Sequence, residues 1–316
     1  MANKPLVSIL CVTYNQKDYI AQTIEGFLIQ KVDFPIEIII HDDASTDGTA
    51  EIVQEYANKH PELIRPILQK ENQYSKKISL WKNFIYPIVQ GKYIAECEGD
   101  DYWTDPNKLQ KQIDFLESHP DYSACVHRCK RLDCRTNSFS GSMPPTETQE
   151  RDFSLTEIIL GGGGFWGTNT LVCRFDFLPD CDADFWKLSP VGDFPHALSL
   201  ATRGKIRYLP QEMSVYRLFA KGSWSCRTLC GPEAYNRRHT HVEKMRESLK
   251  AFDKFTDFKY TDTIQEKIDL NDFNLYWDFG KCSLLKTTSH YKQRSFIGKL
   301  KALYHCISIF FKKSKD

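Results

Sequence analysis

The feature that most limits the fold is an alternation of short apolar runs and amphipathic stretches through about the first 120 residues. Leu6 to Val12, LVSILCV, is apolar and rich in β-branched residues, which predicts a buried strand. Ile20, Ile24, Phe27 and Leu28 then recur at helical spacing. Glu37 to Ile40 predicts a second strand. Ile52, Val53, Tyr56 and Ala57 mark a second helix with Asp47 as its N-cap, and Ile64 to Leu68 a third strand. A helical segment near Leu80 to Val89 should be kinked or ended by Pro87, and Lys92 to Cys97 is a further strand. Asn107 to His119 is an amphipathic helix on Leu109, Ile113 and Leu116, with Pro106 near its first turn. This order is the signature of an α/β fold: a doubly wound, mostly parallel central sheet flanked by helices.

Two of these strands end in acid. One runs into HDDASTDGT, with Asp42 and Asp43, and the other into CEGDD, with Glu98, Asp100 and Asp101. In open α/β sheets ligands sit beyond the carboxyl ends of the strands. Carboxylates packed so closely repel unless something positive joins them. An oxygen-preferring divalent cation, Mg²⁺ or Mn²⁺, does this and keeps positions open for phosphate oxygens. Taken alone, Asp100 and Asp101 also fit a plain turn before YWTDPNKL. A second cluster at an equivalent strand end favours a site.

Later elements are less regular. Tyr122 to Val126 predicts a strand, and residues 133–152, rich in Ser, Thr, Pro and charge, a long loop. Ser154 to Glu157, SLTE, fits a capping box for a short helix. The glycines at 161–164 precede a strand at Thr168 to Cys173. Asp193 opens a helix to about Arg203, and Ile206 to Leu209 and Met213 to Leu218 read as two short strands. From Pro232 onward the pattern is helical and polar. Gly162, Gly164 and Gly167 formally spell a dinucleotide fingerprint, but they follow a helix and precede a strand, the reverse of what that site requires.

A net charge of +1 gives no general preference for nucleic acid. Cys11, Cys97, Cys125 and Cys173 lie in apolar runs and read as buried reduced thiols of a cytosolic protein. The start, MANKPLVSIL, does not read as a secretory signal, and no run approaches the ~18 apolar residues of a membrane span.

The stretch PLVSILCVTYNQKDYIAQTIEGFLIQ followed by IEIIIHDDASTDGTAEIV resembles the opening of the family-two nucleotide-sugar glycosyltransferases. GKYIAECEGDDYWTDPNKLQKQIDFL resembles their next block, the metal-binding acidic motif and a Pro-x-x-Leu helix. The likeness is dense over about residues 5–120 and thins towards 225. It implies a GT-A fold over 1–230 with a helical extension over 231–316. It implies inverting transfer from a nucleoside diphosphate sugar, with UDP the commonest nucleotide in that family and surface polysaccharide assembly the expected setting. Thr13, Tyr14 and Asn15 would line the nucleotide pocket, Asp43 would accept the base N–H, and Asp42 would support it. Asp100 would sit near ribose and metal, and Asp101 would be the direct ligand of Mn²⁺ or Mg²⁺. Asn83 carries over from the family's Arg-Asn pair. Asp193, in VGDFPHALSL, matches the family's base; read by itself it is a helix N-cap. Glu98 stands where the family often has Asp, and Phe219 follows Tyr216-Arg217-Leu218 where the family often has His. Arg217 and Lys221 are then candidates for the diphosphate. Phe165 and Trp166, on the acceptor side by the same likeness, suit the apolar face of a sugar ring or a core. His127 suits either the acceptor cleft or a structural hydrogen bond.

Two rivals remain. A nucleotidyltransferase wants a Gly-rich basic loop after the first strand, which TYNQKDY lacks. A glycan-binding scaffold on a degenerate transferase fold would not need Asp43, Asp101 and Asp193. The tail, FIGKLKALYHCISIFFKKSKD, places Phe296, Leu300, Leu303, Ile307 and Phe310 near one helical face among Lys299, Lys301, Lys312, Lys313 and Lys315. It reads either as peripheral contact with the inner face of the plasma membrane or as a docked helix.

Overall fold

The computed structural model describes residues 4–177 and 182–313. The alternation expected at the front of the chain is present. β1 (Val7–Thr13), α1 (Lys17–Leu28), β2 (Ile36–Asp42), α2 (Thr49–Lys59), β3 (Ile64–Leu68) and β4 (Tyr93–Glu96) follow in order. β1 pairs in parallel with β2 and β4, and β2 with β3. Next come β5 (Tyr102–Trp103), α3 (Lys108–Ser118), β6 (Tyr122–Asp133), β7 (Ser138–Met143), β8 (Arg151–Phe153), α4 (Leu155–Gly161) and β9 (Val172–Arg174). Then follow α5 (Asp184–Leu188), α6 (Asp193–Arg203), β10 (Lys205–Leu218) and α7 (Trp224–Leu229). The sheet order is β3-β2-β1-β4-β9-β6-β10-β5, with β7 on β6 and β8 on β10. The long β6–β10 pair is parallel too, and the antiparallel partners are short.

One sheet face is sealed by helices. Ile9, Cys11, Ile38 and Ile40 pack with Ile24 and Phe27 of α1, Val53 of α2, and Leu109, Ile113 and Leu116 of α3. Each such side chain contributes about 1.5–3 kcal/mol on burial. A Cβ at Gly26 would lie 2.8 Å from the Trp103 backbone nitrogen, so only glycine lets α1 sit this close to β5.

Several expectations change. α2 begins at Thr49 with Gly48, at φ 103°, in the capping position, although Asp47 Oδ1 still accepts the Thr49 N–H at 3.0 Å. Residues 80–89 form a π turn and a 3-10 turn. The supposed loop at 133–152 contributes β7 and the start of β8, because β6 and β10 offer edges to pair with. The two strands expected at 206–218 are one strand, kept continuous by irregularities between Leu209 and Ser214 that accommodate Pro210. Ser154 and Glu157 form the capping box as read.

Lys108 is fully buried. Its ammonium donates to Gln112 Oε1 at 2.8 Å and lies 4.1 Å from the centre of the Trp103 ring. Burial pulls its pKa down to about 7. Unfolded, Lys108 holds a proton that the folded chain has released above that pH, so its contribution to stability rises with pH. The slope is about 1.4 kcal/mol per pH unit from pH 7 upward. Lys108→Met should therefore lower the slope of the urea midpoint against pH between about pH 7 and 8.5 relative to the parent, which carries the same thiols. An unchanged slope would contradict this.

The chain forms two compact units, Met1–Pro179 with His196–Cys226, and Asp180–Pro195 with Arg227–Asp316. The second contains α8 (Ala234–Phe255), α9 (Thr261–Asp278), α10 (Cys282–Leu285), α11 (Ser289–Lys292) and α12 (Phe296–Lys313). Phe185 packs on Phe252 and Phe255, and Phe273, Leu285, Tyr291, Ala302 and Cys306 form a further small core. The single apolar face expected of the tail divides: Leu303 packs on that core, whereas Phe296 and Leu300 are exposed. The side chains of Ile307, Phe310, Lys312 and Lys313, and Lys315 altogether, lie outside the described residues. No helix of the described residues is long and apolar enough to cross a membrane.

Candidate active site

The site grows out of three strand ends. β1 and β2 run in register until Thr13 lies beside Asp42. Past the strands, Asp43 N–H donates to the Thr13 carbonyl at 3.0 Å and Gly99 N–H to the Val12 carbonyl at 3.0 Å. The two acidic clusters thus flank the end of β1, with the Thr13 hydroxyl donating to Gln16 Oε1 at 2.8 Å.

Asn15 and Ala44 follow β1 and β2 with φ of 52° and 64°. Asn tolerates this region, and for Ala it costs about 1 kcal/mol or more. Hydrogen bonds hold both. Asn15 N–H donates to Ser45 Oγ at 2.8 Å, Thr46 N–H to Asn15 Oδ1 at 2.8 Å, and Ser45 N–H to Asp42 Oδ1 at 2.9 Å. The Ser45 hydroxyl donates to Asp42 Oδ2. Burial pushes the Asp42 carboxyl up while these Ser45 bonds pull it down. Asp42 thus braces the loop after β2 through Ser45. Asp43 is buried as well. Its Oδ1 accepts the Gln73 N–H at 2.8 Å and its Oδ2 the Tyr74 N–H at 3.0 Å, and each oxygen keeps a second lone pair. Tyr14 is exposed at the same rim.

The acidic tip after β4 is gripped from two sides. The Thr23 hydroxyl of α1 is 2.9 Å from the Gly99 carbonyl and 2.6 Å from the Asp101 carbonyl. Arg217 of β10 donates its backbone N–H to Asp101 Oδ1 at 2.7 Å. Its guanidinium donates to the Asp100 carbonyl at 2.5 Å and to Gln22 Oε1, and lies 5.0 and 4.5 Å from the Tyr19 and Tyr102 ring centres. At 6% exposure, Arg217, read from sequence as a candidate for the diphosphate, is built into the tip itself. A Cβ at Gly99 would lie 2.6 Å from Thr13 Oγ1 and nearer still to Gln16 Oε1. Gly99→Ala should displace the tip and lower stability by about 1–3 kcal/mol; a urea midpoint equal to the parent's would contradict that.

Asp101 Oδ2 is buried without a hydrogen-bond partner. Burial first, then the charges of Asp100 and Glu98, push the Asp101 carboxyl well above the usual range, against the pull of Arg217. A carboxylate there is costly without a counter-charge, which a divalent cation supplies. Among the described residues no three His, Cys, Asp or Glu side chains form a ready cage.

The remaining candidates lie in other settings. The Lys221 side chain is exposed, and its backbone N–H donates to the Tyr19 hydroxyl at 3.2 Å. Asn83 is exposed on the π turn, its amide donating to the Ser79 carbonyl at 2.8 Å. Trp166 is buried, stacked on Phe153 at 6.0 Å, and Phe165 is 4.6 Å from the same ring, so both belong to an aromatic cluster with Tyr208. Phe165 also lines a cleft of about 340 Å³ with Pro144, Glu147 and Arg151. His127 is buried, with Nδ1 2.8 Å from the Arg128 carbonyl. Asp193 opens α6, exposed, its Oδ1 accepting the Phe194 N–H at 2.7 Å.

Tyr19, Gln22 and Thr23 were not singled out from sequence. Thr23 carried a signal, since it is a polar residue on the Ile20, Ile24, Phe27 stripe and is fully buried.

Residues 8–174 match the family described as Glycosyl transferase family 2. An uncharacterized protein of Mycobacterium tuberculosis is 39% identical over 220 residues, covering 69% of this chain and 60% of that protein. A UDP-Glc:alpha-D-GlcNAc-diphosphoundecaprenol beta-1,3-glucosyltransferase of Escherichia coli is 39% identical over 113 residues, covering 36% of this chain and 42% of that one. The matched region thus spans less than two thirds of these relatives' length. Among solved structures, S. aureus TarS in complex with UDP-GlcNAc shares the fold at TM-score 0.55 and 18% identity, covering 98% of this chain and 91% of that one. So does a mannosyltransferase from Pyrobaculum calidifontis in complex with GDP-Man and Mn²⁺, at TM-score 0.54 and 13% identity, covering 98% and 87%.

Proposed function

The chain belongs to glycosyl transferase family 2, and from that premise we propose that it moves a sugar, with inversion, from a UDP-sugar to a hydroxyl of a glycan or lipid-linked acceptor in surface polysaccharide assembly. The observation that carries this reading is the buried, unpartnered Asp101 Oδ2 at a tip shared with Asp100 and Glu98, one strand end from Asp42 and Asp43. Residues 1–230 would be the catalytic domain and 231–316 its extension, in a cytoplasmic protein peripheral to the inner face of the plasma membrane.

In this reading Thr13, Tyr14, Asn15 and Asp43 line the nucleotide, with Asp42 bracing them and Asn83 beside them. Asp101, with Asp100, would hold Mn²⁺ or Mg²⁺, which when bound offsets charge on the departing diphosphate. Arg217, Gln22 and Thr23 fix the tip so that little rearrangement is needed as that charge develops. Lys221 is the cation for the diphosphate. Asp193 takes the proton of the acceptor hydroxyl as its oxygen bonds to the anomeric carbon. The carbon–oxygen bond to the diphosphate breaks on the opposite face, its electron pair leaving with the nucleotide, and the anomeric configuration inverts. Phe165 stands for acceptor contact.

The test is release of free nucleotide when the purified chain meets UDP-glucose, UDP-N-acetylglucosamine or GDP-mannose with Mn²⁺. UDP release from a UDP-sugar is expected. Release from GDP-mannose alone would replace the donor nucleotide, and release from none would remove the transfer reading.

A further inference from the structure

We propose that α12 rests on an anionic lipid surface, with Phe296, Ile297, Leu300 and Tyr304 inserted at headgroup level and Lys299 and Lys301 flanking them. This deepens the peripheral placement suggested above, and it stands or falls without reference to sugar transfer.

The first support is a helix with two apolar faces where a docked helix needs one. Ala302 and Cys306 are buried, packed with Phe273, Leu285 and Tyr291. Phe296, Ile297, Leu300 and Tyr304 are instead 76, 65, 51 and 76% exposed. At about 100° per residue these four fall within roughly a 100° arc. Lys301 projects about 40° beyond one edge and Lys299 about 60° beyond the other, past Leu303, while Ala302 and Cys306 lie on the other side of the helix. Single exposed apolar residues need no explanation, but a contiguous strip of four large ones does.

Charge selects the occupant. From residue 279 to 313 there is no Asp or Glu and there are eight Lys and Arg, while the whole chain nets only +1, so the remainder nets −7. Basic charge is thus gathered in the one segment that carries the strip. A strip of Phe, Ile, Leu and Tyr edged by lysines is the pattern of a helix lying in a membrane interface. Its rings enter the acyl boundary, its lysine stems lie along it, and the ammonium groups reach anionic headgroups. A second copy pairing through the same strip would bring the two lysine edges together, which like-charge repulsion opposes.

The experiment uses the full chain and vesicle flotation, with phosphatidylcholine alone or with phosphatidylglycerol added. Binding at least about tenfold stronger to the anionic vesicles is expected, weakening with salt. Phe296→Ser/Leu300→Ser/Tyr304→Ser should lose at least about tenfold of it, and so should Lys299→Glu/Lys301→Glu. All five side chains lie off the core, so melting curves should not move. As a separate readout, the emission of Leu300→Trp, after subtraction of the parent's six tryptophans, should be blue-shifted on anionic vesicles. No preference for anionic vesicles, full binding by the triple variant, or an unshifted Trp emission would each overturn the proposal. So would a lipid-free dimer that the triple variant dissolves, because the strip would then belong to a second copy.

Discussion

Asp101→Asn is expected to lower transfer by about 10³-fold while leaving the protein as stable as the parent or more so. Asn keeps the oxygen that accepts the Arg217 N–H at 2.7 Å. It removes the charge that burial and the neighbouring Asp100 and Glu98 make costly. If Asp101 exists to hold a cation, the folded chain gains nothing from its charge in the cation's absence, and stability and function pull in opposite directions. Rates and thermal melts, both taken with chelator and with Mn²⁺, check this. A melt lowered by several degrees in chelator would instead make the carboxylate a structural acceptor, and its loss of activity would then report unfolding of the tip.

Asp193→Ala is expected to be as severe for transfer, about 10³ to 10⁴-fold, by another route. Asp193 is exposed at the start of α6, its Oδ1 accepting the Phe194 N–H at 2.7 Å. Nucleotide affinity should therefore stay within about twofold, because a base for the acceptor hydroxyl makes no contact with the base or ribose of the donor. Removing a plain N-cap costs only about 1 kcal/mol of stability and leaves transfer intact. A variant that melts slightly lower and still transfers would assign Asp193 that smaller part, and a large loss of nucleotide affinity would move it to the donor site.

The front of the fold was legible because its signals are local. LVSILCV and EIII are long enough and β-branched enough to be strands in any context, and acid placed directly after them falls on the rim that parallel sheets use. β7 and β8 were not legible. Ser138–Met143 and Arg151–Phe153 are short and polar, and they become strands only because β6 and β10, distant in sequence, present edges. Lys108 shows the same limit from the other side. A lysine at a helix start reads as solvent-facing, yet Lys108 is fully buried, its ammonium on Gln112 and over the Trp103 ring, close to Cys97 and to Cys125 of β6.

At the site, the residue types were legible and their partners were not. Nothing in YRLFAKGS tells that Arg217 folds inward onto the Asp100 carbonyl while Lys221 stays out. Asp43 likewise looked available for a ligand, and the chain has already given both its oxygens an amide from residues 73 and 74. Pair contacts across about 30 to 117 residues are set by topology, which sequence spacing reports only through the fold it implies.

The most direct test of a cation-dependent nucleotide site at Asp101 is calorimetric titration of UDP, GDP, dTDP and CDP into the purified chain, once with Mn²⁺ and once with EDTA. The account predicts that UDP binds with Mn²⁺, that binding falls at least about tenfold in EDTA, and that Asp101→Asn binds UDP equally weakly in both. A folded chain that binds none of the four, or that binds UDP equally well with and without the cation, would contradict it.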